Sequence, residues 1–560
     1  MHSASRSAAT FARPRHKALA AIAAVLTLIF VPSLMSIGDA APPTDSPKLL
    51  IDPLLIAEAA EVWSVIGHQR NPVWPGWDAS RTPILFYFPG QQDVLINHPR
   101  PPTGFVRYTG PVRFPGGTIF LRNGATLIDL DGQNTSTDVN GTDTLVVADT
   151  LSTRRQWVQG LVEYATSGGK NVDEAITSSL RQSPYHDMLT IVHEAFHVYQ
   201  SLKAPHKHAT EMALARYPSL SPQNNAEIAL EAEILRQALT ATDPKEVRRD
   251  ALRWLAVRED RRKSLDADMA AYEDGTEYLE GLANYTQYRL LQVLDGRHPS
   301  AAMWWKQGFE GYGDLAQQRR AMLDQMVLAM NGSMVVNNDL YGASPVRMRL
   351  YHSGMAIGAL LDRLGANWHE RIFAHGASLT GLVAECLAAN VGELSAIAAA
   401  EKASPHYRDV LARKQALARD GEEFTRRRLA QFDTAPGRLV IDYSALPDSA
   451  IGFRFTPFGI LRVDDDRTIF RLVPMIGKIG SCRFSEDGPR DVLQDRSKRQ
   501  LTILLTAAPD LKRTPSAGTA NGAASAFVPL ERLNLPGARI EGGTASTRLV
   551  DRTLTVTLHP

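Results

Sequence analysis

Two histidines bracket a glutamate in His193-Glu194-Ala195-Phe196-His197. On a helix, an i, i+4 pair sets two imidazoles side by side, able to hold one Zn²⁺ at about 2.0–2.1 Å each. Glu194, rotated roughly 100° from His193, reaches a water beside that ion and can take its proton. The residue types suit such chemistry, since neutral imidazoles donate lone pairs and a carboxylate is a competent base toward a water acidified by a metal. The flanking pattern is helical, because Met188, Val192, Ala195 and Tyr199 recur at i, i+4, i+7 and i+11 as one apolar face while the histidines share another stripe.

Two ligands leave a catalytic zinc one protein ligand short. A third histidine six residues after His197 would complete one pattern of exported metalloproteases, but Lys203 stands there and Gln200 occupies the position of its glycine. His206 and His208 follow Pro205 in a loop and read as surface residues. Residues 272–285 offer more, since Glu273, Glu277, Glu280 and Asn284 fall at i, i+4, i+7 and i+11. Like charges so placed repel by roughly a few tenths of a kcal/mol per exposed pair. The stripe therefore calls for a compensating cation, and zinc is one.

His193-Glu194-x-x-His197 followed on a later helix by Glu280-Gly281-x-Ala283 resembles the gluzincin metalloproteases, the thermolysin-like and peptidase-MA-like group. The resemblance implies zinc ligands at His193, His197 and Glu280, with Glu194 as general base. Glu277 is the reserve candidate for the third ligand, and Glu273 a neighbour or an ordinary exposed acid. Asn284 falls where several members keep a carboxylate that orients a ligand histidine. The gap of 83 residues from His197 to Glu280 is longer than in thermolysin, and the Gly-Ala-Met-Glu-Asn signature of the large zinc aminopeptidases is missing. Members often take an oxyanion donor from downstream; Tyr351 or His352, ahead of an apolar helix over 355–364, fits that order, with Tyr351 the catalytic candidate. A half-buried tyrosine at a helix entry is the plainer alternative.

These residues need elements to hold them. Residues 184–433 show 3.6-residue periodicity, are rich in Ala, Leu, Arg and Glu, and predict a helical, zincin-like catalytic domain. Within it the charged stretches 227–236 and 248–263 read as solvated helix faces. Residues 41–183 carry strand-like runs at 84–88, 118–121 and 144–147 with a turn at Asn140-Gly141-Thr142, predicting a mixed, mainly β N-terminal region. Residues 434–560, with apolar runs at 439–441, 468–473, 501–505 and 553–558, predict a C-terminal β-sandwich or barrel, and 507–526 a surface loop. The expected class is an α+β multidomain protein.

Residues 1–40 read as a signal peptide: Arg6, Arg13, Arg15 and Lys17 precede an uncharged run over 18–38, and Gly38-Asp39-Ala40 supplies small residues for cleavage after Ala40 or Ala41. An uncleaved anchor is the alternative, against which Pro32 breaks the run. Cleavage removes four basic residues and one acid, so the formal charge falls from +1 to −2. Neither value provides a field for a phosphate backbone, which argues against nucleic acid as partner. No later stretch is long and apolar enough to span a membrane, so no membrane partner is expected after cleavage. An oxidising compartment permits Cys386 and Cys482 to pair; two separate buried thiols are the other reading. The expectation is an exported zinc-dependent metallopeptidase, periplasmic or secreted, acting on a peptide or protein substrate. The alternatives are a zinc hydrolase acting on a non-peptide bond, and an exported surface-polymer-binding protein with an inactive zincin-like domain.

Overall fold

A helix precedes the first strand, where the sequence pattern predicts mainly β structure. The computed structural model describes residues 48–124, 127, 130, 132–150, 183–335, 339–510 and 528–560; the segment read as a signal peptide lies outside them. All elements named below belong to the unit Leu49–Pro560. Helix α1 (Pro53–Ile66) starts on Asp52, whose side chain accepts from Leu54 N, with Pro53 in the first turn. Leu55, Ile56, Ala59, Val62 and Trp63 bury its inner face.

Six strands follow: β1 (Ile84–Phe88), β2 (Gln92–Ile96), β3 (Val106–Arg107), β4 (Ile119–Asn123), β5 (Thr135–Asp138) and β6 (Asp143–Ala148). Their order is β3-β4-β2-β1-β6-β5, with β1 parallel to β6 and β5 antiparallel to β6 at one edge. Period-2 alternation sends Ile84, Phe86, Val94, Ile96, Leu145 and Val147 to the main core, and Leu85, Tyr87, Leu95, Val146 and Ala148 to a smaller cluster on the other face. The turn into β6 places Asn140 and Gly141 at φ 49° and 76°, the positive values a two-residue type I′ hairpin requires, so this sequence pins β5 in register.

The central region is helical: α2 (His186–Lys203), α3 (Pro222–Thr240), α4 (Pro244–Arg262), α5 (Ala267–Thr276), a π-helical turn (Glu277–Gly281), α6 (Leu282–Leu294), α7 (Leu315–Met330), α8 (Ala343–Arg363), α9 (Leu379–Leu387), α10 (Val391–Ala403) and α11 (Pro405–Thr434). Proline in the first turn after a Ser or Asp cap starts α3, α4 and α11. Helix α2 lies against α1, β5, β6 and α6, and the apolar face read from its sequence is buried. One hydrophobic cluster joins the N-terminal sheet to these helices. Between Gly437 and His559 the described strands form an eight-stranded and a five-stranded sheet that share a second cluster, to which Tyr217, Tyr272, Val346 and Leu350 of the helical region contribute. Among the described residues no single helix is long and apolar enough to cross a membrane.

One expectation changes, and the two readings of the cysteines are decided. The charged stretches on α3 and α4 are not solvated faces: Glu231, Arg258 and Arg261 are at most 2% exposed, as are Glu273 and Glu277. Arg258 bonds Glu231 at 3.1 Å and Glu277 at 2.5 Å, while Arg261 bonds Glu231 at 2.6 Å and Glu273 at 2.7 Å. Charges of opposite sign on three neighbouring helices can enter the core because each satisfies the others. The cysteines are both free. Cys386 closes α9, which packs on α4 and α8, whereas Cys482 is buried in the C-terminal cluster.

Candidate metal centre

Helix α2 presents His193 and His197 one turn apart, and the π-helical turn presents Glu280 opposite them. Glu280 Oε2 lies 3.5 Å from His193 Nε2 and 3.6 Å from His197 Nε2, and the three ligand atoms fall within 4.8 Å of one another. Two atoms each about 2.0–2.1 Å from one tetrahedral ion stand roughly 3.3–3.4 Å apart. The two Glu280–histidine separations match a His₂Glu zinc site within a few tenths of an ångström, and all three donors lie close enough to share one ion.

The π turn decides which glutamate joins. In an uninterrupted α-helix Glu273, Glu277 and Glu280 share a stripe, but one wider turn offsets the faces before and after it. Glu273 and Glu277 turn inward, where the compensating cations are Arg258, Arg261 and Arg262 and not a metal. Glu280 alone faces the histidines. This turn packs against α8 through two glycines: a Cβ on Gly354 would sit 2.5 Å from the Glu277 carbonyl oxygen and 2.7 Å from Gly281 Cα. Gly354→Ala should therefore push α8 away from the turn, costing about 1–3 kcal/mol as overpacking does. Zinc titration should show weaker binding in that variant, and unchanged affinity would refute the packing argument.

Neighbouring side chains orient the ligands. The Gln200 amide donates to the Tyr278 carbonyl at 2.5 Å, so its oxygen is the group 2.9 Å from His197 Nδ1. Nδ1 thus donates, and the Nε2 lone pair is left for a metal. Gln287 sets its amide 3.3 Å from His193 Nδ1. Asn284, expected to orient a histidine, instead donates to the Tyr351 carbonyl oxygen at 3.3 Å. Arg347 holds Glu280 Oε1 at 2.9 Å and also binds Glu211, so Oε2 is the carboxylate oxygen free for an ion.

Burial opposes charge on His197, but the bond to Glu280 and then the Glu280 and Glu194 charges carry its pKa up to about 9. Burial likewise opposes charge on Glu280, yet His193, His197 and Arg347 hold its carboxyl well below the usual range. A set that keeps an extra proton in this way demands positive charge, which a dication supplies on displacing that proton.

Tyr351 stacks on His193 with rings 15° apart and centroids 6.4 Å apart, and it lies beside Glu280 and Arg347. Burial and the Glu280 charge hold its phenol well above the usual range, so it stays a donor. The helix expected over 355–364 begins earlier, at Ala343, and α8 therefore places Tyr351 and His352 on different faces. His352 turns into the core, where burial lowers its pKa to about 4 and its Nδ1 has no described partner. His206 and His208 are exposed. Arg347 and Gln287 were legible in principle, four residues before Tyr351 and seven after Glu280 on the same helical faces.

These groups line a cleft of about 670 Å³ whose walls include His193, Glu194, His197, Glu280, Arg347 and Tyr351 together with Thr135 and Ser136 of edge strand β5. The chain matches no protein-family model, no curated protein and no solved structure. Function has to be read from the residues themselves.

Proposed function

We propose that the protein is a zinc-dependent metallopeptidase of gluzincin type, acting on polypeptide. The observation that carries this reading is the convergence of His193 Nε2, His197 Nε2 and Glu280 Oε2 beside Glu194 in one open cleft. Peptide is favoured as substrate because β5, paired only with β6 among the described strands, turns Thr135 and Ser136 to that cleft. An extended peptide can bond to such an edge through its main chain.

When bound, zinc supplies Lewis acidity toward the attacking water and the scissile carbonyl. Glu194 accepts the proton of the attacking water and passes it to the departing amine nitrogen. Tyr351 donates a hydrogen bond to the carbonyl oxygen as negative charge develops there. Arg347 offsets the charge on Glu280 Oε1 and fixes the carboxylate's orientation. The basic and apolar segment over 1–40 supports export as the route to the substrate.

Metal analysis of the purified protein should find about one zinc per chain, as a single three-ligand set with one open position implies. His193→Ala or His197→Ala should lose it, and a chelator should stop cleavage of unfolded protein. Absence of zinc would sink the proposal; zinc without peptide cleavage would move it to a non-peptide bond.

A further inference from the structure

The metal cleft adjoins two further cavities. His208 lines both the cleft and an adjoining cavity of about 360 Å³, and Met212 and Arg496 line both that cavity and a third of about 500 Å³ in the C-terminal region. The far cavity is bounded by Ile451, Gly452 and Phe453 of Ile451–Arg454, an edge strand of the five-stranded sheet, which pairs on one side only among the described strands. Gly452 on that edge has open space where a Cβ would stand.

The chemistry of the far cavity is specific. Gln494 is 7% exposed and its Oε1 has no described hydrogen-bond partner, although the side chain lines the cavity beside the Tyr443 hydroxyl. Phe453 and Phe455 form an aromatic wall. Arg499 is committed to Asp448, but Arg496 contacts only the Thr468 hydroxyl and the Asp465 carbonyl oxygen, with no described carboxylate within 4.0 Å. At the cleft end, Lys207 is likewise bonded only to main-chain carbonyls. A buried acceptor without a described donor, an unpaired strand edge and cations at both ends that make no described ion pair within 4.0 Å, Asp466 and Asp274 acting on them only from farther away, together call for an extended chain that brings N–H groups and acidic side chains.

We infer that the three cavities form one groove from the metal cleft to Gln494 and Arg496 that binds an extended, acidic polypeptide segment, lying along the edge strand Ile451–Arg454. That this segment is part of the substrate cut at the metal centre rests on the peptidase reading; that it binds here does not.

The test uses the full-length, zinc-loaded Glu194→Gln protein and fluorescence anisotropy. The probe is a fluorescein-labelled dodecapeptide of alternating Glu and Phe, compared with its twin carrying Lys for Glu. The acidic probe should bind and the Lys twin should not, with affinity falling as salt is added. Arg496→Glu should weaken binding by about tenfold or more, as expected when a central charged contact is reversed. Gly452→Glu should do the same with an unchanged circular dichroism spectrum, since its side chain enters open space. Equal affinity for both probes, or full binding by both variants, would overturn the inference. So would displacement of the probe by cellohexaose, or its exclusion by self-association of the chain. Probe binding needs no turnover, so a wild-type protein that holds zinc but cleaves nothing removes the peptidase reading while these binding outcomes still decide the groove.

Discussion

Replacing Glu194 by Gln should leave zinc at about one per chain while lowering peptide hydrolysis by roughly 10²- to 10⁴-fold, the range a general base contributes. Glu194 lies between the two histidines on α2 and lines the cleft, but it is not one of the three groups that converge on the ion position. An amide of the same shape keeps the helix and the ligands and cannot accept a proton. Glu280→Gln should behave differently. It removes the charge that balances both histidines and releases Arg347, so metal and activity should go together. Zinc analysis beside a proteolysis assay on the two variants reads the distinction. Full activity in Glu194→Gln would end the proposed mechanism.

Arg258→Leu should destabilise the protein by about 3–5 kcal/mol, the cost of leaving a buried carboxylate without its partner. Arg258 is 1% exposed and bonds Glu231, Glu277 and the Thr380 hydroxyl, so its removal uncovers two glutamates that water does not reach. Burial already pushes Glu277 up and Arg258 opposes it; without that guanidinium Glu277 should take up a proton. Glu277 begins the π turn that carries Glu280, and Ser353 of α8 binds its other oxygen. Zinc affinity should therefore fall along with the urea midpoint. Arg258→Leu combined with Glu277→Leu should recover part of the loss, because the uncompensated charge is gone. A single variant as stable as the parent would show that the network carries no such weight.

Local features were readable from the chain. The helix of His193 and His197 announces itself by Met188, Val192, Ala195 and Tyr199, all of them buried. The Asn140-Gly141 turn is what a two-residue hairpin needs, and it sets the edge strand beside the cleft. Even α1 was legible from Asp52-Pro53 and the spacing of Leu55, Ala59 and Val62, though the strand-like runs downstream of it point to β structure for the region as a whole.

The amino-acid sequence by itself therefore determined which residue types could hold a metal, the helix that carries two of them, and the alternation of sheet and helix. Periodicity repeats within a few residues, and those properties need nothing more. Only the tertiary structure decided that Glu280 and not Glu277 faces the histidines, because that choice depends on a single wider turn and on two glycines 73 positions apart that let α8 approach. It also decided that Arg258 and Arg261 belong to the core, that Arg347 restrains Glu280, and that the two thiols stay apart. A charge becomes core or surface according to the partner it finds, and here those partners come from other helices.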